Sequence, residues 1–249
     1  MAGAPGAGPC WNSVFVDLQP CIYYDSEELR HNMALRVVSF ATYLVRVDAV
    51  WRDGDYNALK FVKAIKGLPV NMYARVPVCG VIHRLEQSNA EEAIGWFGQL
   101  GAEYILAQNL ARPITFVPVP NSSCAVTNDA IPRTLLLAQA LADRIGGAHV
   151  WDGLRWATVM MPSSQGGTRD PQVLYDNLVI TGQLPSTQVL LVDDVRTTGA
   201  HFVAALAKLA RGGLACSLAL CAARRVDTQE DAPFSVREEE FPEFIPRES

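Results

Sequence analysis

The run Gln188-Val189-Leu190-Leu191-Val192 carries four consecutive apolar side chains and stops at two aspartates, Asp193 and Asp194. A strand with one wet face alternates apolar and polar residues, so an unbroken apolar run requires burial on both faces. Such a strand belongs in the middle of a sheet that has helices packed above and below it. The two carboxylates then fall at the carboxyl end of a central strand, where open α/β sheets form their ligand crevices.

The neighbouring pattern agrees with a central strand. Apolar periodicity predicts a strand at 114–118, a helix around 132–145, a strand at 157–161, a polar loop, a strand at 188–193, a helix from 199 and a strand at 215–221. The expected fold class is α/β, a mainly parallel central sheet flanked by helices. Upstream, Val14 to Leu18 is a short strand candidate, and Glu27-Glu28-Leu29 after Ser26 opens a helical stretch. Asn57 to Lys66 reads as an amphipathic helix ending at Gly67, and Ala90 to Ile105 as another, with Arg112-Pro113 breaking the pattern beyond it. These signals divide the chain into a flexible leader (1–13), an N-terminal helical/hood region (14–111), a core (112–224) and an acidic tail (225–249) that is expected to be partly ordered and solvated rather than functional.

Composition narrows the function classes. With 249 residues, 49% of them hydrophobic, the chain can bury a substantial core, and its net charge of -5 argues against a surface built to follow a nucleic-acid backbone. Met1 to Pro9 lacks the charged and apolar regions of a secretory signal, and no apolar run approaches the roughly 20 residues of a membrane helix. A cytoplasmic protein without a membrane span is the expectation. Cys10, Cys21, Cys79, Cys124, Cys216 and Cys221 include no Cys-x-x-Cys pair, so reduced, mostly buried thiols are expected. His31, His83 and His149 have no metal-ligand spacing.

The chemistry concentrates after the central strand. A loop entering a helix points backbone N–H groups and the positive end of the helix dipole at one spot, which suits a phosphate. Gly199 permits close backbone approach, and Thr197 and Thr198 add hydroxyl donors. The carboxylates of Asp193 and Asp194 can accept hydrogen bonds from a vicinal diol and help hold a hydrated magnesium ion. Helix capping alone accounts for one aspartate and not for two.

The thirteen residues from Val189 to His201, Val-Leu-Leu-Val-Asp-Asp-Val-Arg-Thr-Thr-Gly-Ala-His, resemble the phosphoribosyl pyrophosphate (PRPP) motif of type I phosphoribosyltransferases. The resemblance implies that Asp193 and Asp194 are the catalytic pair, meeting the ribose hydroxyls and Mg2+. It also implies that Arg196, Thr197, Thr198, Gly199, Ala200 and His201 cradle the 5'-phosphate. His201 departs from the family, which ends this loop in Thr or Ser. Phe116-Val117-Pro118-Val119-Pro120-Asn121-Ser122-Ser123 resembles the pyrophosphate loop of the ComF-like branch, with Pro120, Asn121, Ser122 and Ser123 as the implied contacts. Between the two segments, the Gly-containing stretch from Met161 to Pro171 resembles a closing loop, and Gln165, Arg169 and Asn177 correspond to polar and basic residues of that branch. Arg133 is a further phosphate candidate. The cysteine-rich zinc module common in ComF proteins is missing, and residues 14–111 would supply the acceptor-selecting hood.

By this resemblance the chain transfers phosphoribosyl from PRPP to an unidentified acceptor with release of pyrophosphate, using Mg2+, as part of nucleotide metabolism. The alternative is a non-catalytic nucleotide- or PRPP-sensing effector that keeps the pocket and is regulated by a partner protein or nucleic acid; a protein partner or a homo-oligomer is the association to expect. No side chain stands out as a general base.

Overall fold

The computed structural model describes residues 34–46, 48–162 and 165–247. The leader, the Val14 to Leu18 strand candidate, the helix start at Ser26, His31, Cys10 and Cys21 lie outside the described residues.

Strand β8 (Gln188–Arg196) runs parallel between β4 (Ile114–Pro118) and β9 (Leu218–Val226). Beyond β9 come β1 (Leu35–Leu44), parallel to it, and β10 (Phe234–Phe241), antiparallel to β1. Beyond β4 lies the short parallel strand β5 (Ala148–Val150). The sheet order is β10-β1-β9-β8-β4-β5. This is the mainly parallel α/β sheet that the apolar run requires.

Two cores account for that run. Leu190 and Val192 of β8 pack with Phe116, Leu220 and residues of helices α1 (Asp53–Ile65), α2 (Glu92–Ala107) and α3 (Arg133–Ala142). Val189 and Leu191 pack with Val117, Ala219 and helices α4 (Pro171–Asn177) and α5 (Ala200–Arg211). Each fully buried side chain of this size contributes roughly 1.5–3 kcal/mol, so β8, like its neighbours β4 and β9, stabilises both layers at once.

The helices form for local reasons. In α1, Asp55 returns its carboxylate to the Arg52 backbone N–H at 2.9 Å, while Ala58, Phe61, Val62 and Ile65 fall on one buried face. In α2, an added Cβ at Gly98 or Gly101 would lie 2.5 Å from the Ala140 carbonyl oxygen or 2.4 Å from Leu141, so the absent side chains let α2 approach α3. Asp170 caps α4 through the Gln172 N–H at 2.9 Å, with Pro171 at the first helical position.

Three expectations are corrected. The N-terminal region is not simply helical: β1 occupies an interior place in the sheet, and β2 (Ala74–Val78) and β3 (Val81–Leu85) form a hairpin. Burial of Leu35, Val37, Val38, Phe40, Ala41 and Leu44 drives β1 into the sheet. The strand expected at 157–161 lies earlier, as β6 (Leu154–Trp156) pairing antiparallel with β7 (Leu178–Ile180). Leu154 and Trp156 find complete burial, whereas Val159 and Met161 stay exposed, so the apolar anchors decide the register. The acidic tail, expected to be partly ordered and to lie outside the core, instead joins the central sheet as β10, which covers the otherwise open edge of β1. Its outward charges, among them Glu238 paired with Arg36 at 3.4 Å, suit a strand that becomes the new edge.

The end of β10 also reaches the glycine before α5. Gly199 has φ +84°, and a Cβ there would lie 2.2 Å from the ring of Phe241. Gly199→Ala is expected to lose about 1–2 kcal/mol from backbone strain alone, with a further loss from displacing the ring. Urea unfolding of Gly199→Ala, Phe241→Ala and the double variant should show a double-variant loss smaller than the sum of the singles.

Candidate functional site

The sheet brings the carboxyl ends of β8 and β4 side by side, with the Val119 N–H donating to the Val192 carbonyl at 2.8 Å just before the 120–123 loop departs. The 120–123 loop therefore leaves β4 beside the acid pair, which still lies within β8 and is paired with β9. Asp193 Oδ1 accepts from the Asp194 N–H at 2.7 Å, and Asp194 Oδ1 accepts from the Val195 N–H at 2.6 Å. These local bonds fix both carboxylates. Asp194 Oδ2 meets Lys66 Nζ at 3.5 Å, a cation delivered from the C-terminal end of α1.

The two carboxylates are electrostatically unequal. Asp193 is half-buried by surface area, yet protein surrounds its carboxyl so closely that desolvation lifts it well above the usual carboxylate range. The charge of Asp194 pushes in the same direction, while the Asp194 N–H and Lys66 only partly offset it.

The loop from Arg196 to His201 is turned by Gly199 into the first turn of α5. The Thr198 hydroxyl accepts from the Ala200 N–H at 3.4 Å, so this residue helps close the turn. Arg196 points away from a free pocket: it donates to the Thr197 carbonyl at 2.9 Å, pairs with Glu239 of β10 and lies 5.9 Å from the Phe241 ring. His201 is half-buried by surface area, and desolvation lowers its pKa. The Asp194 charge opposes this, while Lys66 and Arg169 lower it further, so His201 feels charges from the acid pair, from α1 and from the 165–170 stretch.

Trp156 joins the two loops. Its indole N–H is shared between the carbonyls of Pro120, at 3.2 Å, and Asn121, at 3.0 Å, and its ring stands edge-on to His201 at 6.0 Å. Sequence reasoning missed Trp156, although a buried tryptophan next to a polar loop needs an acceptor for its N–H. The Ser122 carbonyl accepts from the Met160 N–H at 2.8 Å, and the Ser123 carbonyl from the Asn128 amide at 2.9 Å. Asn121 Oδ1 accepts from the Arg133 N–H at 2.6 Å at the start of α3. The loop is thus held mainly through its carbonyls and one side-chain cap.

Other candidates have structural tasks. Arg133 donates to the carbonyls of Ile65, at 2.5 Å, and Ala64, at 2.9 Å, and pairs with Glu91 at 3.1 Å, so it caps α1. Asn177 bonds the backbone of Thr158 and stitches the connection after β6. Gln165 is exposed, its N–H donates to the Pro162 carbonyl at 2.8 Å, and nothing draws its side chain to the acid pair. Lys66 received no role from sequence beyond ending a helix, because its contact with Asp194 spans about half of the chain.

Among the described residues, no group of three or more His, Cys, Asp or Glu side chains is placed to hold a metal ion. The acid pair nevertheless fits a magnesium ion shared with a phosphorylated ligand, since Mg2+ keeps several waters and takes one or two carboxylates beside substrate phosphates. Two cavities, of about 210 Å3 beside Ile105 and Arg112 and about 450 Å3 beside Gln188 and Ser217, lie at the amino ends of β4, β8 and β9, away from these groups. The carboxyl ends of β8 and β4 are the better candidate because charge, a left-handed glycine and a helix N-terminus coincide there.

Compared with known proteins, the chain matches no family model and no curated protein. Among the described residues no helix is long and apolar enough to cross a membrane. The class that fold and site define is an α/β protein with an acidic pair and a helix-opening glycine loop at the end of its central strand.

Desolvation of Asp193 has a stability consequence. An acid whose folded pKa is raised binds its proton more tightly in the folded state, so its contribution is fully present below the unfolded pKa of about 3.9 and is lost as pH rises through the folded value. Asp193→Asn keeps an acceptor for the Asp194 N–H without the charge. It should melt above the wild type at pH 7, by roughly 2–4 °C for each kcal/mol regained at this chain length, and the gap should close near pH 4; thermal melts at both values check this.

Proposed function

We propose that the chain is a phosphoribosyltransferase-like protein that binds PRPP with Mg2+ and transfers the phosphoribosyl group to an acceptor, releasing pyrophosphate. The observation that carries this reading is the adjacency of Asp193-Asp194 to the Gly199 turn at the start of α5, at the carboxyl end of a central parallel strand. A sugar phosphate uses both halves: a diol for the carboxylates and a phosphate for the N–H groups of the turn.

Asp193 and Asp194 would face the ribose hydroxyls and hold the metal, which when bound neutralises charge on the departing pyrophosphate. Thr197 to Ala200 would receive the 5'-phosphate, with His201 in place of a hydroxyl. The 120–123 loop would lie beside the pyrophosphate, and Arg169 would add positive charge near it. The bond from ribose C1 to the pyrophosphate oxygen breaks as the bond to the acceptor forms, the acceptor releasing its proton. Positive charge grows on the ring, so these residues act by positioning and charge stabilisation.

A second reading, a PRPP- or nucleotide-sensing effector, draws on Arg196. Its guanidinium is committed to Glu239 and Phe241 of β10, which links the phosphate loop to the C-terminal segment. Ligand in the loop would then bear on that segment.

Calorimetric titration of PRPP with and without Mg2+ tests the shared premise. Magnesium-dependent binding is expected, reduced at least about 100-fold in Asp193→Asn/Asp194→Asn, as loss of two charge-assisted contacts of about 1.5–3 kcal/mol each implies. Absence of binding by the folded wild type would overturn the PRPP reading. Pyrophosphate release with candidate acceptor bases then separates the transferase from the sensor.

A further inference from the structure

The contact between Lys66 and Asp194 joins parts of the chain that sequence reasoning kept apart. Lys66 closes the C-terminal end of α1, where a lysine complements the helix dipole without further partners. Its ammonium instead reaches the acid pair, 3.5 Å from Asp194 Oδ2, with the lysine side chain 33% exposed and the aspartate 15% exposed.

The helix end that presents it is clamped. Arg133 takes the Ile65 and Ala64 carbonyls at 2.5 and 2.9 Å, and its own N–H is held by Asn121 Oδ1 at 2.6 Å. Lys66 is therefore aimed from a fixed anchor. Because Oδ1 of Asp194 is already used by the Val195 N–H, Oδ2 is the oxygen left for a cation, and Lys66 is the cation beside it.

We propose that Lys66 occupies the divalent-cation position at Asp194, so that its ammonium and a metal ion compete for Oδ2. This inference rests on the metal-holding role proposed above for the acid pair. The bare site then attracts Mg2+ weakly, because one of its two carboxylates already has a positive neighbour. A phosphorylated ligand changes the balance by adding its own oxygens to the metal and by offering the ammonium a new anion. Lys66 so acts as a positioning residue that makes metal and substrate bind together.

The test is binding of Mn2+, standing in for Mg2+, to the full chain without PRPP, followed by electron paramagnetic resonance. Lys66→Met should bind Mn2+ about fivefold more tightly than the wild type, the upper range for removing a partly exposed ion pair. Lys66→Arg should restore wild-type affinity, and the gain should vanish in Lys66→Met/Asp194→Asn. Circular dichroism and thermal melts establish that each variant is folded. Equal Mn2+ affinity in the wild type and folded Lys66→Met, or a gain that survives in the double variant, overturns the competition. These outcomes are read on metal alone, so they stay distinct from a failure of PRPP to bind.

Discussion

Burial of β8 on both faces is the constraint on which the rest of the structure depends. Val189 and Leu191 enter one core and Leu190 and Val192 the other, so neither helical layer can be removed without exposing part of the strand. The same double burial leaves no room for charge along 189–192, and the carboxylates appear only toward the carboxyl end of β8, ahead of the buried Val195. Helix α5 must then start within a few residues to cover its layer, and the tight reversal is made by a glycine with positive φ. Site and fold are consequences of one requirement.

The carboxyl end of β8 is electrostatically costly. Two adjacent carboxylates repel, and burial of Asp193 adds desolvation to the repulsion. A chain selected for stability alone would place at most one acid here as a cap. Lys66 and two backbone N–H groups return part of the cost, and the remainder is stored at this end of the strand. Local conflict of this kind, in an otherwise consistent fold, is what marks a place where function overrides stability.

The parts legible in sequence were those set by short-range pattern. The apolar run gave β8, the apolar segment after Arg112-Pro113 gave β4 at residues 114–118 as expected, and the periodicity of Asn57 to Lys66 gave most of α1. The illegible parts depend on distant partners. β10 is a charged strand that exists because β1 offers an edge, and β6 is placed by where Trp156 can be buried. In the site, Asp193, Asp194 and Gly199 could be found from their spacing. Lys66 and Trp156 could not, because each acts across a contact that only the folded sheet creates, and Arg133 misled because its charge serves carbonyls rather than a phosphate.

The end of α1 shows how such distant contacts turn separate loops into one unit. Asn121 holds the first N–H of α3, Arg133 on that same residue holds the last carbonyls of α1, and the next residue, Lys66, meets Asp194. Trp156 ties the carbonyls of Pro120 and Asn121 to the neighbourhood of His201 from the other side. A shift of the 120–123 loop therefore moves the anchor of Lys66 as well as the wall beside His201. Because the links are hydrogen bonds to backbone groups, the coupling depends on loop geometry more than on loop side-chain identity.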